Sequence, residues 1–178
     1  MPHDAQLAAD LAATIRDVPN FPKPGILFKD IMPVLQDPVL FRRTCDGLAA
    51  PWRSDQITHV LAIESRGFLF GAPVALALGA ALVPVRKPGK LPYHIVREHY
   101  ALEYGTDALE VHRDAFHDNA RVLIVDDLLA TGGTAVAAIR LSEGLDATVA
   151  GVAVVVALEF LPWRQALVGR RVEALVSF

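Results

Sequence analysis

Two adjacent carboxylates, Asp126 and Asp127, stand just ahead of the turn Ala130-Thr131-Gly132-Gly133-Thr134. Carboxylates at a site meet hydroxyls, a metal ion or developing positive charge. A glycine turn that opens a helix presents backbone N–H groups with no intrahelical acceptor, in the positive field of the helix terminus, and a phosphate docks there. Gly132 and Gly133 let the backbone curl about an anion with no Cβ in the way. The two features together imply a phosphorylated sugar. An ordinary strand-to-helix turn with a threonine N-cap would account for Thr-Gly-Gly-Thr alone, but not for the acids beside it. The nucleotide P-loop string G-x-x-x-x-G-K-[ST] and the dinucleotide string G-x-G-x-x-G are both absent.

Two further clusters carry charge that suits such a ligand. Glu64-Ser65-Arg66-Gly67 precedes a helical stretch, so its backbone can accept an anion with Arg66 adding charge. It can equally be a capping turn with a solvated arginine. Arg86-Lys87-Pro88-Gly89-Lys90 is a second basic run, which by itself reads as a solvated face. Beside two carboxylates and a phosphate loop it reads better as a pyrophosphate clamp. His94/His99 and His112/His117 are each five apart, the wrong spacing for two ligands on one helical face, and read as solvated or packing histidines. The single cysteine, Cys45, excludes an internal disulfide and a cysteine-built metal site.

These groups need a scaffold to bring them together. Residues 122–125, Val-Leu-Ile-Val, have no polar break, as in a strand buried on both faces, and 135–141 has the apolar spacing of a helix. Strands are also expected at 57–63, 81–85, 109–112, 147–158 and 172–177, and helices at 5–16, 38–49 and 68–78. Alternating strands and helices predict an α/β fold. Its mostly parallel central sheet is flanked by helices, with ligand loops at the strands' C-terminal ends and a small hood above them. Residues 19–33 hold four prolines yet remain apolar, so they should lie over something rather than face water. Residues 87–105 show no clear period and are long for a connection, which points to a mobile lid.

Composition sets the remaining bounds. A chain of 178 residues with 53% hydrophobic residues suits a single domain over 1–178. The N-terminal part, 1–36, would supply a helix and a covering loop. A net charge of −3 argues against nucleic acid as a partner. Residues 68–85 carry no charge for 18 positions, but Gly71, Pro73, Gly79 and Pro84 interrupt them, so a buried helix and strand are expected rather than a membrane span. The N-terminus lacks the positive and apolar regions of a signal peptide, so a cytoplasmic protein is expected.

VLIVDDLLATGGT (122–134) resembles the phosphoribosyl pyrophosphate (PRPP) motif of the type I phosphoribosyltransferases, in the form carried by the adenine phosphoribosyltransferases. FPKPGILFKDI (21–31), ESRGFLFG (64–71), RKPGKLP (86–92) and LEYG (102–105) resemble further segments of that family in the same order. The resemblance weakens after about residue 159, and the lid centre, 93–100, matches poorly, so no catalytic residue is assigned there. It implies a reaction of adenine with PRPP that yields AMP and pyrophosphate with Mg²⁺, the ion being bound mainly through PRPP and pyrophosphate. It also implies a homodimer. Residue by residue, it implies that Ala130, Thr131, Gly132, Gly133 and Thr134 bind the 5′-phosphate. Asp126 and Asp127 would hold the ribose hydroxyls, and Arg66, Arg86, Lys87 and Lys90 the pyrophosphate. Phe28 and Leu128 would sandwich adenine, whose edge is read by the backbone of Leu27 and Lys29. Glu103 would hydrogen-bond adenine N7.

The chemistry fits those roles. Pyrophosphate leaves once its charge is neutralised, and the sugar it leaves becomes oxocarbenium-like, which preorganised carboxylates favour. Adenine must lose a proton as N9 attacks, and a carboxylate at N7 can take or relay it, the general-base role of Glu103. Taken without the resemblance, Glu103 is an exposed lid carboxylate. A closed lid would exclude water from the cationic sugar. Two other functions stay open: a transferase for hypoxanthine, guanine or xanthine, and a non-catalytic PRPP sensor of the same fold.

Overall fold

The computed structural model describes residues 4–101 and 106–178. Helix α1 (Ala5–Thr14) starts at Asp4, whose carboxylate accepts from the N–H groups of Gln6 and Leu7. It stops short of the expected 5–16 because Ile15 turns to an extended backbone and Arg16 opens a strand. That strand, β1 (Arg16–Pro19), pairs antiparallel with β2 (Leu27–Asp30). The proline-rich segment is therefore a hairpin and not only a loop. The prolines hide it: the hairpin's strands are four residues each, too short for a periodic signal. Two more helices follow, α2 (Met32–Gln36) and α3 (Pro38–Ala49), the latter N-capped by Asp37.

The central sheet comes from the valine-rich stretches. β3 (His59–Ile63), β4 (Ala81–Val85), β7 (Arg121–Leu129), β8 (Thr148–Ala157) and β9 (Val172–Ser177) form five strands in the order β4-β3-β7-β8-β9. Every neighbouring pair is parallel. Helix α4 (Gly67–Leu78) links β3 to β4 and ends on Gly79, which has a left-handed backbone. Helix α5 (Gly133–Glu143) links β7 to β8, and the short α6 (Trp163–Ala166) lies between β8 and β9.

Strand alternation sorts the core onto two faces. Leu123 and Val125 of β7 turn to one face with Val60, Phe70 and Val74, packed by α1, α3 and α4. Val122 and Ile124 turn to the other with Leu61, Ile63, Ile139 and Trp163, packed by α5 and the hood. Phe70, Leu123 and Ile124 are fully buried, each contributing roughly 1.5–3 kcal/mol.

The hood is a hairpin, β5 (Ile95–Ala101) with β6 (Thr106–His112). The strand expected at 109–112 is thus present and longer, and 95–101, expected as irregular lid, is its partner. Strand β7 is longer than expected as well. Asp126, Asp127 and Leu128 lie within it rather than after it, and pairing runs on to Leu129↔Ala157. No helix among the described residues is long and apolar enough to cross a membrane.

Candidate active site

The C-terminal ends of β3, β4 and β7 meet at one opening. Asp126, Leu128, Ala130, Thr131, Gly132 and Thr134 line a cavity of about 410 Å³. A more open cleft of about 740 Å³ adjoins it, lined by Glu64, Ser65, Arg66, Lys87, Tyr100 and Asp127. Asp126, Leu128 and Thr134 belong to both, so the two spaces are one site with two compartments.

The smaller compartment is built by the turn after β7. Gly132 is the N-cap of α5 at φ 88°, so it, and not a threonine, makes the turn. No side chain caps the helix there, which leaves the first-turn N–H groups to an outside acceptor. A Cβ on Gly132 would lie 3.0 Å from Ala166 Cβ and 3.4 Å from Trp163 Cα. The divergent segment around α6 is therefore the wall behind this loop, a role that nothing in its sequence signals.

The acidic pair divides between two settings. Asp127, with its side chain 6% exposed, has Oδ2 at 2.7 Å from Arg66 Nε. The N–H is not aimed at the oxygen, so neither atom completes a hydrogen bond there. Asp126 accepts the backbone N–H of Asp127 at 2.8 Å and presses on α4, where a Cβ on Gly67 would lie 2.9 Å from its Oδ1. Although it faces the cavity, Asp126 is deep in the protein. Burial first, and then the charge of Asp127, push its carboxyl well above the usual carboxylate range.

The basic residues converge on the larger compartment, each with a carboxylate already beside it. Lys90 Nζ donates to Glu64 Oε1 at 2.5 Å and Arg86 Nη2 to the same oxygen at 3.3 Å. The backbone N–H of Lys87 donates to Glu64 Oε2 at 2.9 Å. Burial alone would raise the Glu64 carboxyl, but the donors of Lys90, Lys87 and Arg86 outweigh it and hold it at about 2. Lys87 Nζ donates to Tyr100 Oη at 2.9 Å and to Asp107. Burial draws Lys87 downward, yet Asp107 and Tyr100 leave it above its ordinary value.

The structure thus gathers Arg66, Lys87, Asp126, Asp127, Leu128 and the 130–134 loop around one opening, with Arg86 and Lys90 beside it on Glu64. Phe28 joins them through Arg66, whose guanidinium carbon lies 5.3 Å from its ring centroid, and Phe21 meets Phe28 edge-on at 5.1 Å. Leu27 is exposed beside it. The Lys29 side chain is tied elsewhere, to Asp17 at 2.6 Å and over the Phe178 ring at 3.8 Å. Only its backbone is left to the site. Glu103 lies outside the described residues. Tyr100, Asp107 and Glu110 were not foreseen, because their partners sit 7 to 21 residues away and share no local pattern. Among the described residues, no group of three or more His, Cys, Asp or Glu is gathered to hold a metal.

Comparison with known proteins matches residues 40–159 to the phosphoribosyl transferase domain family. An adenine phosphoribosyltransferase of Myxococcus xanthus is 54% identical over 98% of this chain and 95% of its own length. The crystal structure of adenine phosphoribosyltransferase from Rhodothermus marinus superposes with a TM-score of 0.93 at 47% identity, covering 98% of this chain and all of that one. The enzyme from Saccharomyces cerevisiae, complexed with adenine and an imino-altritol bisphosphate, gives 0.90 at 41% identity, covering 96% of this chain and 99% of its own.

Proposed function

The chain belongs to the phosphoribosyl transferase family, among its adenine phosphoribosyltransferases, and on that footing we propose a role for each part of its cleft. The reaction joins adenine to PRPP and releases AMP and pyrophosphate, a pentosyl transfer that salvages a purine base. The observation that carries the assignment is the union, in one opening, of an uncapped glycine turn, two carboxylates and the cations Arg66 and Lys87, with Arg86 and Lys90 held beside it on Glu64.

The turn 130–134 takes the 5′-phosphate on its backbone N–H groups. Asp126 and Asp127 take the ribose hydroxyls, and their charge favours the sugar as it becomes cationic. The unfilled acceptor on buried Asp127 supports this, since a hydroxyl would complete it. Arg66, Arg86, Lys87 and Lys90 meet the pyrophosphate. Adenine lies between Phe28 and Leu128. Strand β2 pairs on one side only, with β1, so alternate backbone groups on its other edge can read the base. Glu103, at N7, takes the N7 proton of the N7–H tautomer of adenine as the free lone pair of N9 bonds to the sugar carbon. The lid 87–105 closes over the cleft and keeps water from the cationic sugar.

Mg²⁺ suits this donor set. Asp126 and Asp127 border the cleft, and their carboxylate oxygens could meet an ion that keeps several waters and is held mostly by substrate oxygens. When bound, the ion supplies charge neutralisation to the leaving pyrophosphate. We place the enzyme in the cytoplasm as a homodimer whose second copy covers α4 and the edge strand β4. Leu69, Leu76 and Leu82 are exposed there on a stretch with no charge, and Leu76 is 85% exposed.

The reaction and its base preference are tested together by incubating the purified protein with PRPP, Mg²⁺ and each purine base in turn. AMP forms from adenine and pyrophosphate is released. Turnover of hypoxanthine without adenine would overturn the base assignment. PRPP binding with no turnover of any base would make the protein a sensor.

A further inference from the structure

Loop 86–90 does not hang free above the cleft. Glu64 holds it from below with both carboxylate oxygens, Oε1 on Lys90 and Arg86 and Oε2 on the Lys87 amide. On its far side Glu110, 2% exposed, accepts the Gly89 N–H at 2.9 Å and two bonds from Arg97, while its backbone pairs with that of Arg86. The two buried acids differ in what they bind. Glu110 holds the loop's main chain and a hood arginine. Every side-chain hydrogen bond found for Glu64 goes to the 86–90 loop itself, and two of the three donors are clamp cations.

A cluster of like charges disperses unless an anion sits among them, and regathering flexible lysine and arginine side chains at the moment of binding costs entropy. Glu64 is 8% exposed at its side chain, covered by the cations it holds rather than by a deep apolar shell. Its carboxyl stays ionised at any working pH. Exposed lysine–carboxylate pairs are usually weak, but a covered carboxylate shared by three donors is a fixed template.

We propose that Glu64 is a positioning residue for pyrophosphate. It keeps Arg86, Lys90 and the Lys87 amide assembled while the cleft is empty, and yields the two side chains to the diphosphate when it arrives. The proposal rests on the assignment of these cations to pyrophosphate. It distinguishes Glu64 from the groups that touch the substrate, since it acts only through them.

The test compares Glu64→Gln, Glu64→Asp and Lys90→Ala with the natural enzyme. Calorimetry measures binding of pyrophosphate with Mg²⁺ and, separately, of AMP, and steady-state kinetics gives KM for PRPP and adenine. In Glu64→Gln, pyrophosphate affinity falls and KM for PRPP rises by about tenfold, while adenine KM and AMP affinity stay within about twofold. Glu64→Asp, which keeps the charge but shortens its reach, falls between the two, and it carries the test alone should the Gln variant not fold. Equal weakening of AMP and pyrophosphate would mean general loosening of the site and would overturn the proposal. So would unchanged or tighter pyrophosphate binding. If Lys90→Ala also leaves pyrophosphate binding unchanged, the clamp assignment fails. If Lys90→Ala weakens it and Glu64→Gln does not, the clamp stands and only the role of Glu64 falls.

Discussion

Asp126 and Asp127 are neighbours in one strand but sit in different settings. Asp127 meets Arg66, the N-cap of α4, while Asp126 is pressed against Gly67, the first residue of that helix. An acid whose folded pKa stands above its unfolded value, about 3.9, binds its proton more tightly when folded. The stability it lends is whole below that value and is lost as pH rises through the folded pKa. Asp126 is such an acid, raised by burial and then by the charge of Asp127. Asp126→Asn suffers no such loss. It should melt higher than the natural chain near neutral pH, with the gap closing toward about pH 4. Thermal melts across pH check this, and a gap that does not vary with pH would mean that burial does not govern this carboxyl. The same variant should lose about a hundredfold or more in kcat, because the carboxyl group proposed to meet the ribose hydroxyls is gone. A site held in tension with its own fold is the expected mark of electrostatic catalysis.

At the scale of elements, what is consecutive in the chain was legible and what is assembled across it was not. Strand β7, the acids, the turn and α5 follow one another directly, so residues 122–141 announce both their structure and their ligand. The hood was harder. Strand β5 pairs Val96 with Val111 and Arg97 with Glu110, and so its polar, irregular sequence becomes a strand only through a partner beyond 102–105. The β1–β2 hairpin was masked by prolines, and α6 by its lack of any motif. Yet α6 bears on the proposed function, because Trp163 and Ala166 pack against the turn at Gly132 that is proposed to take the phosphate. A side chain there meets two obstacles, a left-handed backbone and that wall. Gly132→Ala should cost about 1–2 kcal/mol in stability and raise KM for PRPP more than it lowers kcat. Denaturant unfolding and steady-state kinetics measure the two effects. An unchanged KM for PRPP would show that the turn's shape is not what receives the phosphate.

For the molecule as a whole, the sheet presents an unfinished side. β4 is an edge strand, and with α4 it offers an uncharged surface that contains Leu69, Leu76 and Leu82. On the proposal that a second copy covers that surface, Leu76→Glu should shift sedimentation toward the monomer, whereas the same change at Val168, exposed elsewhere, should not. Identical sedimentation of the Leu76→Glu and natural proteins would place the interface on another face. Strand β2 bears on descent rather than assembly. Lys29 turns its side chain to Asp17 and Phe178, leaving only main chain toward the proposed base edge. Every amino acid but proline offers the same N–H and C=O. A preference read by main chain, as proposed, would therefore survive any change at position 29 other than to proline. On that reading, a change of base preference would call for a different path of the hairpin between 19 and 33 rather than a new side chain at position 29.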